Sequence, residues 1–210
     1  MTSISSIYPY VLPELPGIPT PVVDRVVLSS IREFYRRSQL YRNTETLDVV
    51  ASVASFTLLP PAGNELLKVH SVTYDGNIVP LYTEASGIIK LKDTDEGETI
   101  VYYTWDSGSN ITVYPIPNFS STAKLKVQYS YQPLQSATDI FADVFERWVE
   151  CIAAKVKSEL MMQSRVSWSN PSIGMYNRGE YWRLLGDARS EANRIYGNPV
   201  SAAVYSLDQG

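Results

Sequence analysis

Few residues in this sequence have the types and spacing that catalysis or metal binding requires, and the first to consider are its one histidine and one cysteine. His70 lies in a stretch typical of a strand, and Cys151 falls in the apolar pattern of a helix. A metal site built on several histidines is excluded, and a Cys-His nucleophile would need these two distant elements to meet. We expect His70 to be an ordinary strand residue and Cys151 a small buried hydrophobe.

A cluster of acids, DTDEGE, occupies residues 93–98. It resembles an oxygen-rich cation loop but lacks the acidic ligand at the twelfth position of a helix-flanked calcium loop, so we expect a solvated turn. The sequence contains no glycine-rich phosphate loop, no Gly-x-Ser-x-Gly elbow and no nucleotide fingerprint. We therefore predict no catalytic residue, metal or cofactor. The fold could still bring two of the 22 acids together, which leaves an enzyme of unknown type open.

Tyrosines and arginines form two further patterns. Six of the tyrosines in the region of predicted strands could supply an interface or fill an ordinary sandwich core: Tyr82, Tyr102, Tyr103, Tyr114, Tyr129 and Tyr131. A basic stripe on the first predicted helix is a hypothetical contact between subunits of an assembly, with a solvated face as the alternative: Arg25, Arg32, Arg36 and Arg37.

The composition indicates a folded chain that is neither disordered nor membrane-spanning. It has 210 residues, of which 44% are hydrophobic and 19% charged, and no apolar run approaches the roughly 18 residues of a membrane helix. Its net charge is −4, and no segment is basic enough to clamp nucleic acid. Because the first ten residues do not read as a signal peptide, we expect synthesis and assembly in a cytoplasm.

The periodicity of apolar residues predicts three helices around a β region. Apolar residues recur every three or four positions in three segments: residues 22–41, the segment from a cap at Thr138 or Asp139 to about Met162, and the segment after Pro171 up to Gly197. Between residues 44 and 131 the period changes to two, which predicts about six short antiparallel strands. Five prolines in residues 8–21 predict an extended arm instead of a helix.

These elements predict an α+β fold. One N-terminal helix would pack with two C-terminal helices in a bundle, and an antiparallel β lobe, a small sandwich or curled sheet, would be inserted between them. The predicted divisions are residues 1–42 with 132–197 for the helical body and its proline-rich arm, 43–131 for the β lobe, and 198–210 for a flexible tail. Such a layout suits a connector that makes contacts in two directions.

Several of these segments carry a resemblance to a known family. The run VLPELPGIPTP (residues 11–21), followed directly by VVDRVVLSSIREFYRR (22–37), resembles the N-terminus of head-to-tail adaptor (connector) proteins of tailed bacteriophages. The segments LLP (58–60), VHSV (69–72), VSWSNP (166–171) and ANRIYG (192–197) are similar to the same family. The resemblance covers nearly the whole chain.

The resemblance implies a structural virion protein at the neck of the particle, assembled in the host cytoplasm. Its subunits would form a ring of about twelve copies below the portal protein and above the next tail component (nozzle, stopper or tail tube protein), around a channel through which genomic DNA passes without sequence-specific binding. The implied portal contact is the end of the chain: Gly197, Asn198, Pro199, Val200, Val204, Tyr205 and Leu207. The alternative is a β-lobe module that recognises carbohydrate or a host surface.

Overall fold

The computed structural model of the protein describes residues 1–84, 86–88 and 90–197. The elements in chain order are β1 (Thr2–Ser3), α1 (Tyr8–Val11), α2 (Thr20–Ser38), β2 (Arg42–Val49), β3 (Ser55–Thr57), β4 (Asn64–Tyr74), β5 (Asn77–Val79), β6 (Glu96–Gly97), β7 (Tyr102–Trp105), β8 (Asn110–Tyr114), β9 (Ile116–Pro117), β10 (Ser121–Pro133), β11 (Asp139–Ile140), α3 (Ala142–Met161) and α4 (Pro171–Tyr196). Helices and antiparallel sheets in one chain confirm the predicted α+β class. Within the described ranges, no helix combines the length and apolar composition needed to span a membrane.

The chain forms two compact units. The helical unit comprises Met1–Leu40 and the chain from Gln135 onward, and the β unit comprises Tyr41–Leu134. The β unit is thus inserted, in sequence, between the first long helix and the last two.

In the helical unit, α3 packs against α4, and α2 contacts both. Helix α2 begins two residues and ends three residues earlier than the predicted 22–41, at Thr20 and Ser38. Pro21 lies in its first turn, where a missing N–H costs nothing. It ends because Gln39 adopts the left-handed conformation (φ +48°) and donates its backbone N–H to the carbonyl of Tyr35 at 3.0 Å.

Helix α3 begins later than predicted, at Ala142, and has no side-chain cap. The predicted caps Thr138 and Asp139 are wrong. Asp139 instead belongs to β11, which pairs antiparallel with β1 in the register Ser3 to Asp139. The stripe that α3 buries contains Val144, Trp148, Ile152 and Val156, whereas Phe141 and Phe145, which share its helical spacing, are only half-buried.

Helix α4 starts where the sequence predicts. The side chain of Asn170 caps it by accepting the backbone N–H of Ile173 at 3.3 Å. The apolar stripe of this helix is buried at Tyr181, Leu185, Ala188 and Ala192. Ile195 does not continue this stripe, because its side chain is 53% exposed.

The N-terminal segment is not the extended arm that its prolines predict. Two short 3-10 turns, Ile4–Ile7 and Leu12–Glu14, flank α1. Three apolar side chains, spaced four residues apart, are each at most 1% exposed: Ile7, Val11 and Leu15. The first turn contacts α2 and α3, so the segment is part of the core of the helical unit.

The β unit contains nine strands in its described residues, more than the six predicted. One sheet has the order β2-β10-β4-β5 and a second the order β3-β8-β7, both antiparallel. Strands β4 and β10, with 11 and 13 residues, are not short. The small β6-β9 pair is parallel, contrary to expectation. Buried side chains of both antiparallel sheets include Val72, Val127 and Ile111.

Candidate functional site, an arginine-lined groove

One side of helix α2 lines a groove of about 1120 Å3 in the helical unit. Arg25, Arg32 and Arg36 lie on this side because separations of seven and four residues return to the same face of an α-helix. The other residues that line the groove come from α2, the N-terminal turn, the linker before α3 and the end of α3: Ile4, Pro21, Val22, Asp24, Val26, Leu28, Ser29, Gln135, Glu159 and Gln163. The groove therefore combines apolar walls with arginines.

The fourth arginine of the predicted stripe, Arg37, lies outside this groove. One residue beyond Arg36 is about 100° further around the helix. The Nε atom of Arg37 lies 2.6 Å from the Oε1 atom of Glu33, and its guanidinium lies 4.9 Å from the ring centre of Trp182. Arg37 thus makes contacts inside the helical unit, and the structure brings together only three of the four predicted residues.

The charges of the groove are unequally paired. Its two acids have partners within the chain, because Asp24 accepts the hydroxyl of Tyr8 and Glu159 lies 2.9 Å from the Nζ atom of Lys155. Burial and the bond to Asp24 raise the pKa of Tyr8 to about 12. Arg25 and Arg36, both exposed, form no ion pair with any described residue. The groove therefore presents positive charge for an external partner.

Beside the groove, Glu33 joins helices α2 and α3. Its Oε2 atom lies 3.0 Å from the Nζ atom of Lys155, opposite the contact to Arg37. Burial alone would raise the pKa of Glu33, but hydrogen bonds from Lys155 and Arg37 outweigh it and hold this pKa below its usual value. Glu33 is therefore a fixed structural anion in the wall behind the arginines.

Cys151 and His70 do not have the environment of catalytic residues. Cys151 is 1% exposed, and burial raises its pKa to about 12, which disfavours the reactive thiolate. His70 lies in β4, and its buried Nε2 atom has no hydrogen-bond partner among the described residues. Desolvation, with the charges of Arg42 and Lys68, lowers the pKa of His70 to about 4, so the imidazole is neutral near pH 7.

The acidic segment at residues 93–98 forms hydrogen bonds within the β unit. The carboxylate of Asp95 accepts the backbone N–H of Lys92 at 2.8 Å, and that of Asp93 accepts the hydroxyl of Tyr114 at 3.2 Å. Across the described residues, no group of three or more histidine, cysteine or acidic side chains is placed to hold a metal ion. The bond to Lys92 is that of a turn, but Asp93 bonds a residue 21 positions later and Glu96–Gly97 forms strand β6, so the segment is only in part the expected solvated turn.

Four of the six tyrosines singled out from the sequence lie in the core of the β unit. Tyr102, Tyr103, Tyr129 and Tyr131 are at most 8% exposed. The half-buried rings of Tyr82 and Tyr114 both lie 5.1 Å from the ring of Tyr102. This placement favours the structural interpretation of the tyrosines over an exposed binding surface.

Of the residues expected to contact a portal, the structure describes Gly197. Its backbone N–H donates to the carbonyl of Asn193 at 2.6 Å and ends α4. A Cβ atom at this position would lie 2.1 Å from that same oxygen, so the chain leaves the helix in a way that only glycine allows. The other predicted contacts lie outside the described residues: Asn198, Pro199, Val200, Val204, Tyr205 and Leu207.

One charged surface of the helical unit has no counterpart in the predictions from sequence. Asp143, Glu146 and Glu150 are exposed on one side of α3. Their separations of three and four residues were a readable signal, because such residues share a helix face. We call these three residues the acidic face.

The helical unit presents two charged surfaces, the arginine-lined groove and the acidic face. A model of the SU10 adaptor protein family matches residues 6–203, nearly the whole sequence. The chain therefore belongs to the SU10 adaptor protein family and is a structural adaptor of a bacteriophage, a component of the virion. No curated protein matches the sequence. Family membership confirms the resemblance to phage head-to-tail adaptors.

Proposed function

We propose that the protein forms a ring of about twelve copies at the neck of the virion, between the portal protein and the next tail component. The observation that carries this proposal is the family match over residues 6–203, together with the exposed Arg25 and Arg36 of the α2 groove, which form no ion pair with any described residue. In a ring, Arg25, Arg32 and Arg36 would contact a neighbouring copy. Arg37, which is held by Glu33, would act by fixing the helix behind them.

The helical units would surround the channel through which genomic DNA passes, and the β units would face the tail or the outside. A net charge of −4 suits this role, because DNA must slide past without being held electrostatically. The alternative of a carbohydrate- or host-binding β module is less well supported, since four of the six tyrosines that suggested it are buried.

The portal contact would be made by Gly197 and the apolar positions of the final segment. Gly197 sets the direction in which the chain leaves α4. Beyond it, the sequence places Val200, Val204, Tyr205 and Leu207 among small and polar residues. Short apolar segments of this kind can anchor in a groove of a symmetric partner.

The test is binding of the purified protein to the portal protein of the same phage, measured by co-elution in size-exclusion chromatography. Replacing Val204, Tyr205 and Leu207 by aspartate is expected to abolish co-elution, because three charges would have to enter an apolar contact. The matched control places aspartate at Ser201, Ser206 and Gln209. Normal portal binding by the first variant would refute the contact.

A further inference from the structure

The two charged surfaces of the helical unit lie on opposite sides of helix α3. Glu159 lines the arginine-lined groove, whereas Glu150 belongs to the acidic face. Nine residues separate them, which at about 100° per residue is two and a half turns. The groove and the acidic face therefore point in opposite directions from one helix within one compact unit.

The charges left unpaired on these surfaces are complementary. Glu146 and Glu150 form no ion pair in the part of the chain that the structure describes, as is also true of Arg25 and Arg36. Asp143 is the exception on the acidic face, since it lies 3.9 Å from Arg147. Each surface thus presents two uncompensated charges of one sign, which favours contact with the other surface.

The unpaired charges are spread along both helices. Glu146 and Glu150 lie four residues apart on α3, about 6 Å along the helix axis, and Arg25 and Arg36 lie eleven residues apart on α2, about 16 Å. The row of arginines is therefore long enough to receive both acids. Next to the acidic face lies a depression of about 310 Å3 with acidic and basic lining residues, Glu150 and Glu180 with Lys157 and Arg183.

We propose that the acidic face of one copy docks in the arginine-lined groove of the next copy. This assignment rests on the proposed ring and names the surfaces that close it. The contact is heterologous, because each copy uses two different surfaces, and surfaces on opposite sides of one unit allow the chain of contacts to continue from copy to copy. The occupant of the groove is thus a second copy of this protein.

The experiment reverses each surface separately. The groove variant carries Arg25→Glu and Arg36→Glu, and the face variant carries Glu146→Arg and Glu150→Arg. Controls with equal charge changes at exposed positions outside both surfaces are Lys126→Glu with Arg178→Glu, and Glu84→Arg with Glu98→Arg. Circular dichroism checks folding, and assembly is measured by light scattering with and without the portal protein.

We expect each reversed variant alone to assemble at least about tenfold less well than the wild type, because like charges would face each other. An equimolar mixture of the two variants is expected to recover assembly, since each reversed surface then meets a complementary one. The variant that combines all four substitutions should also assemble.

Three results would overturn the proposal. If the single-surface variants assemble as well as their controls, the proposed ring stands and only this pairing is refuted. Loss of assembly without recovery in the mixture would mean that the groove receives a different partner, such as the portal. Failure of the wild type to assemble under either condition would refute the ring and the pairing together.

Discussion

Replacing Ile7 by alanine is expected to destabilise the helical unit by about 3 kcal/mol. Ile7 is 1% exposed and lies in the turn that contacts α2 and α3. The three carbons removed account for about 2.4 kcal/mol at roughly 0.8 kcal/mol per methylene, and the cavity adds to this cost. A loss of about 3 kcal/mol lowers the melting temperature by roughly 6–12 °C for a chain of this size.

The assay is urea and thermal unfolding followed by circular dichroism. The matched control is Ile195→Ala, the same substitution in the same unit at a side chain that is 53% exposed, with an expected change within about 0.5 kcal/mol. If the two variants were equally stable, the N-terminal segment would be a loosely attached arm, and our account of the helical core would be refuted.

Three further predictions concern stability. The folded-state pKa of His70, about 4, is below its ordinary 6.5, so the unfolded chain binds the additional proton between these values, and stability falls as the pH is lowered from about 6.5 to 4. His70→Gln should reduce this loss. The urea midpoints of wild type and variant are measured at pH 7 and at pH 4.5, and an equal decrease between these two pH values in both proteins would contradict the prediction. Asn170→Ala removes the cap of α4 and should cost about 1 kcal/mol in urea unfolding, whereas Asn170→Asp should cost little; equal losses would exclude capping. Glu33→Gln leaves Lys155 and Arg37 without their shared anion and should lower the thermal midpoint at low salt more than at high salt; a salt-independent loss would speak against an electrostatic role.

The helices could be predicted because their signals are local. The apolar stripes of α2 and α4 repeat at helical spacing, and Asn170 with Pro171 marks a helix start. The N-terminal segment misled the prediction because prolines were taken to exclude helical structure. Pro9 and Pro13 occupy the second positions of α1 and of the following 3-10 turn, where the missing N–H is not needed.

The features that could not be predicted depend on contacts between distant residues. The length of β4 follows from its pairing with β10, more than fifty residues later, and the parallel β6-β9 pair has no local signal. In the site, helical spacing already places Arg37 about 100° around the helix from Arg36, so its separation from the other three arginines was readable from the sequence. Its contact with Trp182 was not, because only the tertiary fold brings these two residues together.

The central claim is that this adaptor is a ring subunit that joins the portal to the tail, and its most direct test is the mass of the purified protein with and without its portal protein. Light scattering gives the mass, and electron microscopy of any complex gives its symmetry. We predict a closed ring of about twelve copies, formed alone or on the portal. A protein that stays monomeric and does not bind the portal would contradict the account.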